Sequence, residues 1–295
     1  MANSKYKVNK DSGFENPHYL FRNAPELEID LAGIFNIGDF YRQKLVQELT
    51  SIIDRIFPQN DLNIIDAACG NGRLLRSIKN IYSGNKQLNL NGFDSDIDSI
   101  IQAHQRSIEM KIEFGIHNIL EINDLYEPNS ADILILTGVL FYFSPVKLEI
   151  ILNRVSKVLK SGGLIYFNLL PIKLFDSPEA LLNKASKIKW FEIYNPSNDL
   201  TDPDPEFMSN YGPYYFTQWN SNGRKSSGNG HPVWYYPKKF IEQELSKIGI
   251  EIQKCEAQFL PDSIFQSKYY ARIDPAIRQD LLRIPVCDLY LGRKE

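Results

Sequence analysis

Cysteine is scarce in this chain. Cys69, Cys255 and Cys287 are three in 295 residues, an odd number, far apart and without a C-x-x-C pair. A disulfide scaffold and a cysteine-built zinc site are excluded as organising ideas. Long apolar runs are also missing: the longest uncharged apolar run, Ile133 to Val146, is too short to cross a bilayer. The amino-terminal residues Met1 to Lys7 lack the apolar core of a signal peptide, so a soluble protein of the cytoplasm is expected. No sign of charge dominates, because 33 Lys and Arg stand against 36 Asp and Glu, a net −3. That balance offers no field for a polyanion or an anionic membrane, so neither nucleic acid nor membrane is expected as a partner. What is present is 43% hydrophobic and 23% charged residues, enough apolar mass for a packed core. The length fits one large domain or two modest ones.

Four stretches of different character follow one another. Residues 1–60 are an extension broken by Gly13, Pro17, Pro25 and Gly33, closing with a helix that Asp39 caps and Pro58 ends. In that helix Leu45, Val46, Leu49, Ile52, Ile53 and Ile56 line one face. Over residues 61–169 strand and helix patterns alternate, which predicts an α/β fold: a parallel sheet with helices on both faces. Leu88 to Phe93 reads as a strand, Asp96 as the cap of a helix to about Met110, and Ile112 to Phe114 as a short strand. Ile133 to Leu136 is a continuous apolar run that suits a central strand. Ser144-Pro145 opens a helix to Leu159, and Ser161-Gly162-Gly163 turns the chain into a strand from Leu164. The pattern breaks over residues 170–236. Residues 190–236 hold all three tryptophans and an aromatic content of about 26%, against 12% for the chain, with five prolines, so long regular elements are not expected. Regularity returns over residues 237–295, with a helix whose first residue is Pro237 and strands at Ile250 to Glu256 and Cys287 to Leu291.

The segment richest in chemistry is Asp66-Ala67-Ala68-Cys69-Gly70-Asn71-Gly72, between a strand and a helix. Glycines there let backbone approach a ligand, and the helix start presents unpaired N–H groups. Asp94 follows, 22 residues beyond Gly72, at the end of the next strand, where a nucleoside-binding sheet places the acid that accepts both ribose hydroxyls. A dinucleotide fingerprint would need a third glycine where Leu75 stands, and no G-x-x-x-x-G-K-S/T string exists. Asp66 would repel a pyrophosphate and would welcome a ligand carrying an amino group and a sulfonium.

Asn63 to Gly72 resembles the glycine-rich first motif of class I S-adenosylmethionine-dependent methyltransferases. Gly92-Phe93-Asp94-Ser95-Asp96 is similar to the second motif, whose acid holds the ribose. His117-Asn118-Ile119, Ala131 to Leu140 and Leu159 to Gly163 follow in the order of the adenine-binding segment, the fourth strand with its loop over the methyl donor, and the turn before the fifth strand. The resemblance implies a Rossmann-like, mostly parallel sheet of seven strands, closed by an antiparallel hairpin. It also implies S-adenosylmethionine as cofactor. Carried over, Asp66 and the backbone of Ala68, Gly70 and Gly72 would face the methionine moiety, with Ala67 and Cys69 in the same cofactor-binding turn, and Asp94 would take the ribose. Ser95, Asn118 and Ile119 would meet the adenine, Thr137 would border the sulfonium, and Tyr41 or Arg42 would close over the carboxylate. Three departures stand out. Ala68 replaces the first family glycine, which is compatible with a negative φ. Asn118 replaces an aspartate and would need its oxygen turned toward the adenine amino group. Phe141 stands where some small-molecule relatives carry a histidine base.

Cys69 reads as an apolar filler rather than a nucleophile. Of His18, His104, His117 and His231, the last, beside Pro232 and Trp234, is the best general-base candidate. The aromatic stretch after the fifth strand reads as a lid over the acceptor. No metal is implied. The expected reaction is in-line methylation of an oxygen or nitrogen on a small or peptide-like acceptor, with carbon methylation or a non-catalytic cofactor-binding module as alternatives. The absence of an Asn/Asp-Pro-Pro-Tyr string argues further against nucleic acid.

Overall fold

Seven strands form one sheet in the spatial order β3-β2-β1-β4-β5-β10-β9. In chain order they are β1 (Asp61–Ala67), β2 (Gln87–Asp94), β3 (Ile112–Ile116), β4 (Ala131–Leu136), β5 (Leu159–Leu169), β9 (Ile250–Phe259) and β10 (Pro285–Lys294). The five on the β3 side run parallel, and β10 and β9 close the sheet as an antiparallel hairpin. The computed structural model describes residues 44–59, 61–169, 191–194, 214–218, 231–234, 236–259 and 285–295. Asp39, Tyr41, Arg42 and most of the stretch 170–230 lie outside them.

Helix α1 over 44–56 and α2 (Arg73–Ile81) cover one face of the sheet. Leu45, Val46, Leu49, Ile53, Leu75 and Ile78 bury there against Ile64, Ile133, Ile135 and Leu164. The opposite face is covered by α5 (Pro145–Val158) and α6 (Lys238–Lys247), over Ile65, Leu134, Ile165 and Phe167. All six residues of β4 are buried, as a strand between two helical layers requires. Between them come α3 (Ile97–Arg106), packed beside β2 and β3, and the short α4 (Ile122–Leu125). Asp96 caps α3, its carboxylate accepting from the Ser99 N–H and hydroxyl at 3.2 and 2.6 Å.

Several boundaries differ from the sequence reading. Helix α3 stops at Arg106, four residues early, where Ser107 turns the chain. Pro237 is the residue before α6, not its first, because its ψ of 140° is extended. Ser161-Gly162-Gly163 does not precede β5 but bulges within it: Ala131 pairs with Leu159 and Ile133 with Leu164, so two steps on β4 face five on β5. Gly162 makes that bend at φ 76°. The bulge brings Lys160 onto Asp132, with Nζ 2.9 Å from both carboxylate oxygens. Gln59 and the Asn63 N–H donate to the same carboxylate at 2.9 Å, which ties the amino ends of β1, β4 and β5 together.

The aromatic-rich stretch carries three short strands, β6 (Phe191–Tyr194), β7 (Tyr214–Gln218) and β8 (His231–Val233), paired antiparallel in a second sheet. Proline density hides strands of three to five residues from periodicity. Among the described residues no helix is long and apolar enough to cross a membrane.

Candidate active site

The carboxyl ends of β1, β2 and β3 meet on Asp94. Its Oδ2 accepts the Gly70 N–H at 2.8 Å, from the turn after β1, and its Oδ1 accepts the Asp96 N–H at 2.9 Å, from its own turn. Its backbone carbonyl accepts the His117 N–H at 3.1 Å, from the loop after β3. One acid, 7% exposed, thus fixes three loops around a single point.

The turn after β1 owes its shape to three left-handed residues in five. Ala68 has φ 62°, Gly70 φ 53° and Gly72 φ 70°. A negative φ at Ala68 is therefore not what the structure has: the turn keeps the conformation a glycine would take and holds an alanine in it, at a strain of about 1–2 kcal/mol. Glycine at that position relieves the strain but adds freedom to the unfolded chain. We expect Ala68→Gly to raise unfolding free energy by about 0.5–1 kcal/mol in urea denaturation, since relief exceeds the added entropy. A loss of stability would show that the alanine methyl packs usefully.

Cys69 lies inside this turn. Its N–H donates to the Phe93 carbonyl at 2.9 Å, and its sulfur closes over Gly92, where a Cβ would stand 2.9 Å from Sγ. Burial, then the charges of Asp66 and Asp94, push the thiol well above its ordinary range. It stays protonated and fills space. Ala67 is fully buried at the end of β1, and Asp66 beside it is 2% exposed.

Asn118 departs from its expected posture. Its Oδ1 accepts the Leu120 N–H at 2.9 Å, and Glu121 returns the bond to the Asn118 N–H at 3.3 Å, a capping box on the 3-10 turn Ile119–Glu121. An adenine amino group would have to share that oxygen's second lone pair. Ile119 packs its side chain into the core, whereas Ser95 is exposed beside Asp94.

The turn after β4 is held from two sides. At one end Thr137 is half-buried, and Gly138, at φ 75°, donates its N–H to Oδ1 of Asn168 on β5 at 2.6 Å. At the other, the 3-10 turn Leu140–Tyr142 carries the Phe141 and Tyr142 rings, 4.5 Å apart. The Trp234 N–H donates to the Phe141 carbonyl at 2.7 Å, and the Tyr236 hydroxyl donates to the Phe143 carbonyl. The chain leaving β8 is therefore fastened to the rim of the strand ends. Burial pushes the Tyr142 phenol up to about 12, so at neutral pH it keeps its proton. His231 opens β8 opposite Phe216, three residues before Trp234; its side chain lies outside the described part. Asn168 escapes the sequence reading, and Trp234 and Tyr236 enter it only as members of the aromatic stretch. The signal for Asn168 is an amide ending the otherwise apolar Leu164 to Phe167.

Residues 58–195 match a family model described as a methyltransferase domain. Among solved structures, an S-adenosylmethionine-dependent methyltransferase from Methanosarcina mazei is similar at TM-score 0.55 and 15% identity, covering 82% of this chain and 96% of its own. A putative methyltransferase of the same dependence from Listeria monocytogenes gives 0.52 and 16%, covering 82% and 95%. Magnesium protoporphyrin IX methyltransferase from Synechocystis PCC 6803, solved with bound SAH, gives 0.50 and 11%, covering 86% and 83%. At these identities the likeness is one of fold. Residues 58–195 thus carry a methyltransferase domain, on the fold that S-adenosylmethionine-dependent methyltransferases share. S-adenosylmethionine is the cofactor of that class.

Proposed function

We propose that this enzyme transfers a methyl group to an oxygen or nitrogen of a small-molecule or peptide-like acceptor, in a cytoplasmic reaction of specialised metabolism. The observation that carries the reading is the convergence of three strand-end loops on Asp94, beside a turn whose left-handed residues leave bare backbone at Gly70 and Gly72. Those groups fit the cofactor. Asp94 is the acceptor for two ribose hydroxyls, and the turn from Asp66 through Gly72 takes the methionine moiety, with Asp66 supplying charge complementary to an amino group and a sulfonium. Ser95, Asn118 and Ile119 border the adenine, and Thr137 borders the sulfonium.

S-adenosylmethionine brings a methyl group already activated for displacement, so the chain's task is alignment and exclusion of water. The fastening of Trp234 to Phe141 supports reading residues 170–236 as a lid over the acceptor, because it joins the end of that stretch to the donor-side rim. Aromatic walls suit a planar or cationic amine acceptor. His231 is the base candidate in that lid, and Tyr142, which retains its proton, can hydrogen-bond an acceptor but not deprotonate it.

The test has two arms. Calorimetry should show one S-adenosylmethionine per chain, and incubation with labelled methyl donor and a small-molecule extract should yield a labelled product by mass spectrometry. Cofactor binding without any labelled product from broad panels would favour a non-catalytic module, and label on carbon would overturn the oxygen-or-nitrogen reading.

A further inference from the structure

We infer that Asn168 is a positioning residue for methyl transfer: from the end of β5 its side-chain carbonyl holds the turn after β4 in the conformation that borders the donor. This rests on Thr137 and its turn being a wall of the donor site. The ladder between β4 and β5 ends at Leu136 and Phe167. Just beyond it, backbone pairing is replaced by a side chain, Asn168 Oδ1 taking the Gly138 N–H at 2.6 Å. Among the described residues, nothing beyond its chain neighbours lies within 4 Å of where a Gly138 Cβ would stand, so no packing among them holds the turn at this point. Gly138 is also left-handed, a conformation open to a glycine's alternatives.

The orientation of the amide is fixed from its other side. Asn168 hydrogen-bonds the Cys287 thiol of β10, so its oxygen faces the N–H and its nitrogen the sulfur. Cys287 is 5% exposed and held in β10, which pairs with β9 on its far side. Asn168 therefore links the donor-side turn to the rigid hairpin of the sheet. Phe141 and Phe143, tied to Trp234 and Tyr236, hold the other end of the same turn. The lid and the sheet grip a single seven-residue turn, and Asn168 is the sheet's grip.

Asn168→Leu removes the acceptor at nearly constant volume, and Asn168→Asp keeps it, with the thiol able to donate to the second oxygen. The readouts are calorimetry with SAH, hydrogen exchange of the Gly138 amide, and urea denaturation. We expect Asn168→Leu to bind SAH about 10-fold more weakly and to lose Gly138 protection by a similar factor, with its denaturation midpoint near wild type. Asn168→Asp should recover both to within about 2- to 3-fold. Wild-type affinity in the leucine variant, or failure of the aspartate variant to recover, would overturn the inference. If the leucine variant does not fold, Asn168→Ala takes its place. If wild-type protein does not bind SAH, the donor-site reading fails instead, while Gly138 exchange still reports on the tie itself.

Discussion

Asp94→Ala should weaken S-adenosylmethionine binding by at least about 100-fold, since the proposed ribose assignment gives Asp94 two charge-assisted hydrogen bonds of about 1.5–3 kcal/mol each to lose. The loss has a second source. Oδ1 and Oδ2 hold the Asp96 and Gly70 N–H groups, so alanine also releases the turn after β1 from the turn after β2. Asp94→Asn separates the two contributions. Its amide keeps the shape and one oxygen, so one of the two N–H groups retains its acceptor while the negative charge is gone. We expect its affinity to fall about 10-fold, between alanine and wild type, with a smaller drop in unfolding free energy than alanine shows. Calorimetry and urea denaturation on the three proteins report the two effects independently. Alanine binding the cofactor as tightly as aspartate would remove the ribose assignment, whatever happened to stability.

The elements most legible in the sequence are those whose signal is local. Ile133 to Leu136 announces a strand buried on both faces because a parallel sheet between helices leaves it no polar side. Asp96 announces a cap because a carboxylate before a helix has an N–H three residues on to accept. The turn from Asp66 and the acid at Asp94 were visible as residue types at a spacing, and the structure brings them together through Gly70. What was hidden depends on partners far along the chain. Ala68 is left-handed because Cys69 and Gly70 are pinned to β2, a constraint written some 25 residues downstream. The bulge at Ser161 to Gly163 accompanies a long-range pair, Lys160 on Asp132 across β4 and β5. In the sequence Asn118 reads as a ligand contact, whereas its nearest donor is the backbone N–H two residues on. Asn168 and Trp234 find their partners 30 and 93 residues away, and no short-range pattern carries that.

Gly72→Ala should be the most damaging small substitution in the site for stability, at about 2–4 kcal/mol, because it combines two penalties. The first is conformational: φ at Gly72 is 70°, and it stands directly before α2, where no side chain caps the helix. The second is steric: a Cβ there would lie 2.4 and 2.5 Å from Cζ and Cε1 of Phe114, and 3.2 Å from Cβ of Ala103. The Phe114 ring cannot simply swing away, because it packs against core residues under α2 and meets the His104 ring edge-on at 5.7 Å. The two penalties separate by double substitution. Phe114→Ala costs stability alone but clears the space for the new methyl, so the pair should be less destabilised than the sum by about 1–2 kcal/mol. Gly72→Asn makes the complementary test. Asparagine tolerates left-handed backbone, yet it brings the same Cβ and more behind it, so it should be no better than alanine. Urea denaturation of the four proteins decides: strict additivity of Gly72→Ala and Phe114→Ala, or recovery by asparagine, would mean that the ring does not press on this turn. Coupling of the expected sign would show that edge strand β3, through one phenylalanine, sets how closely the first turn of α2 can approach the cofactor side of the sheet.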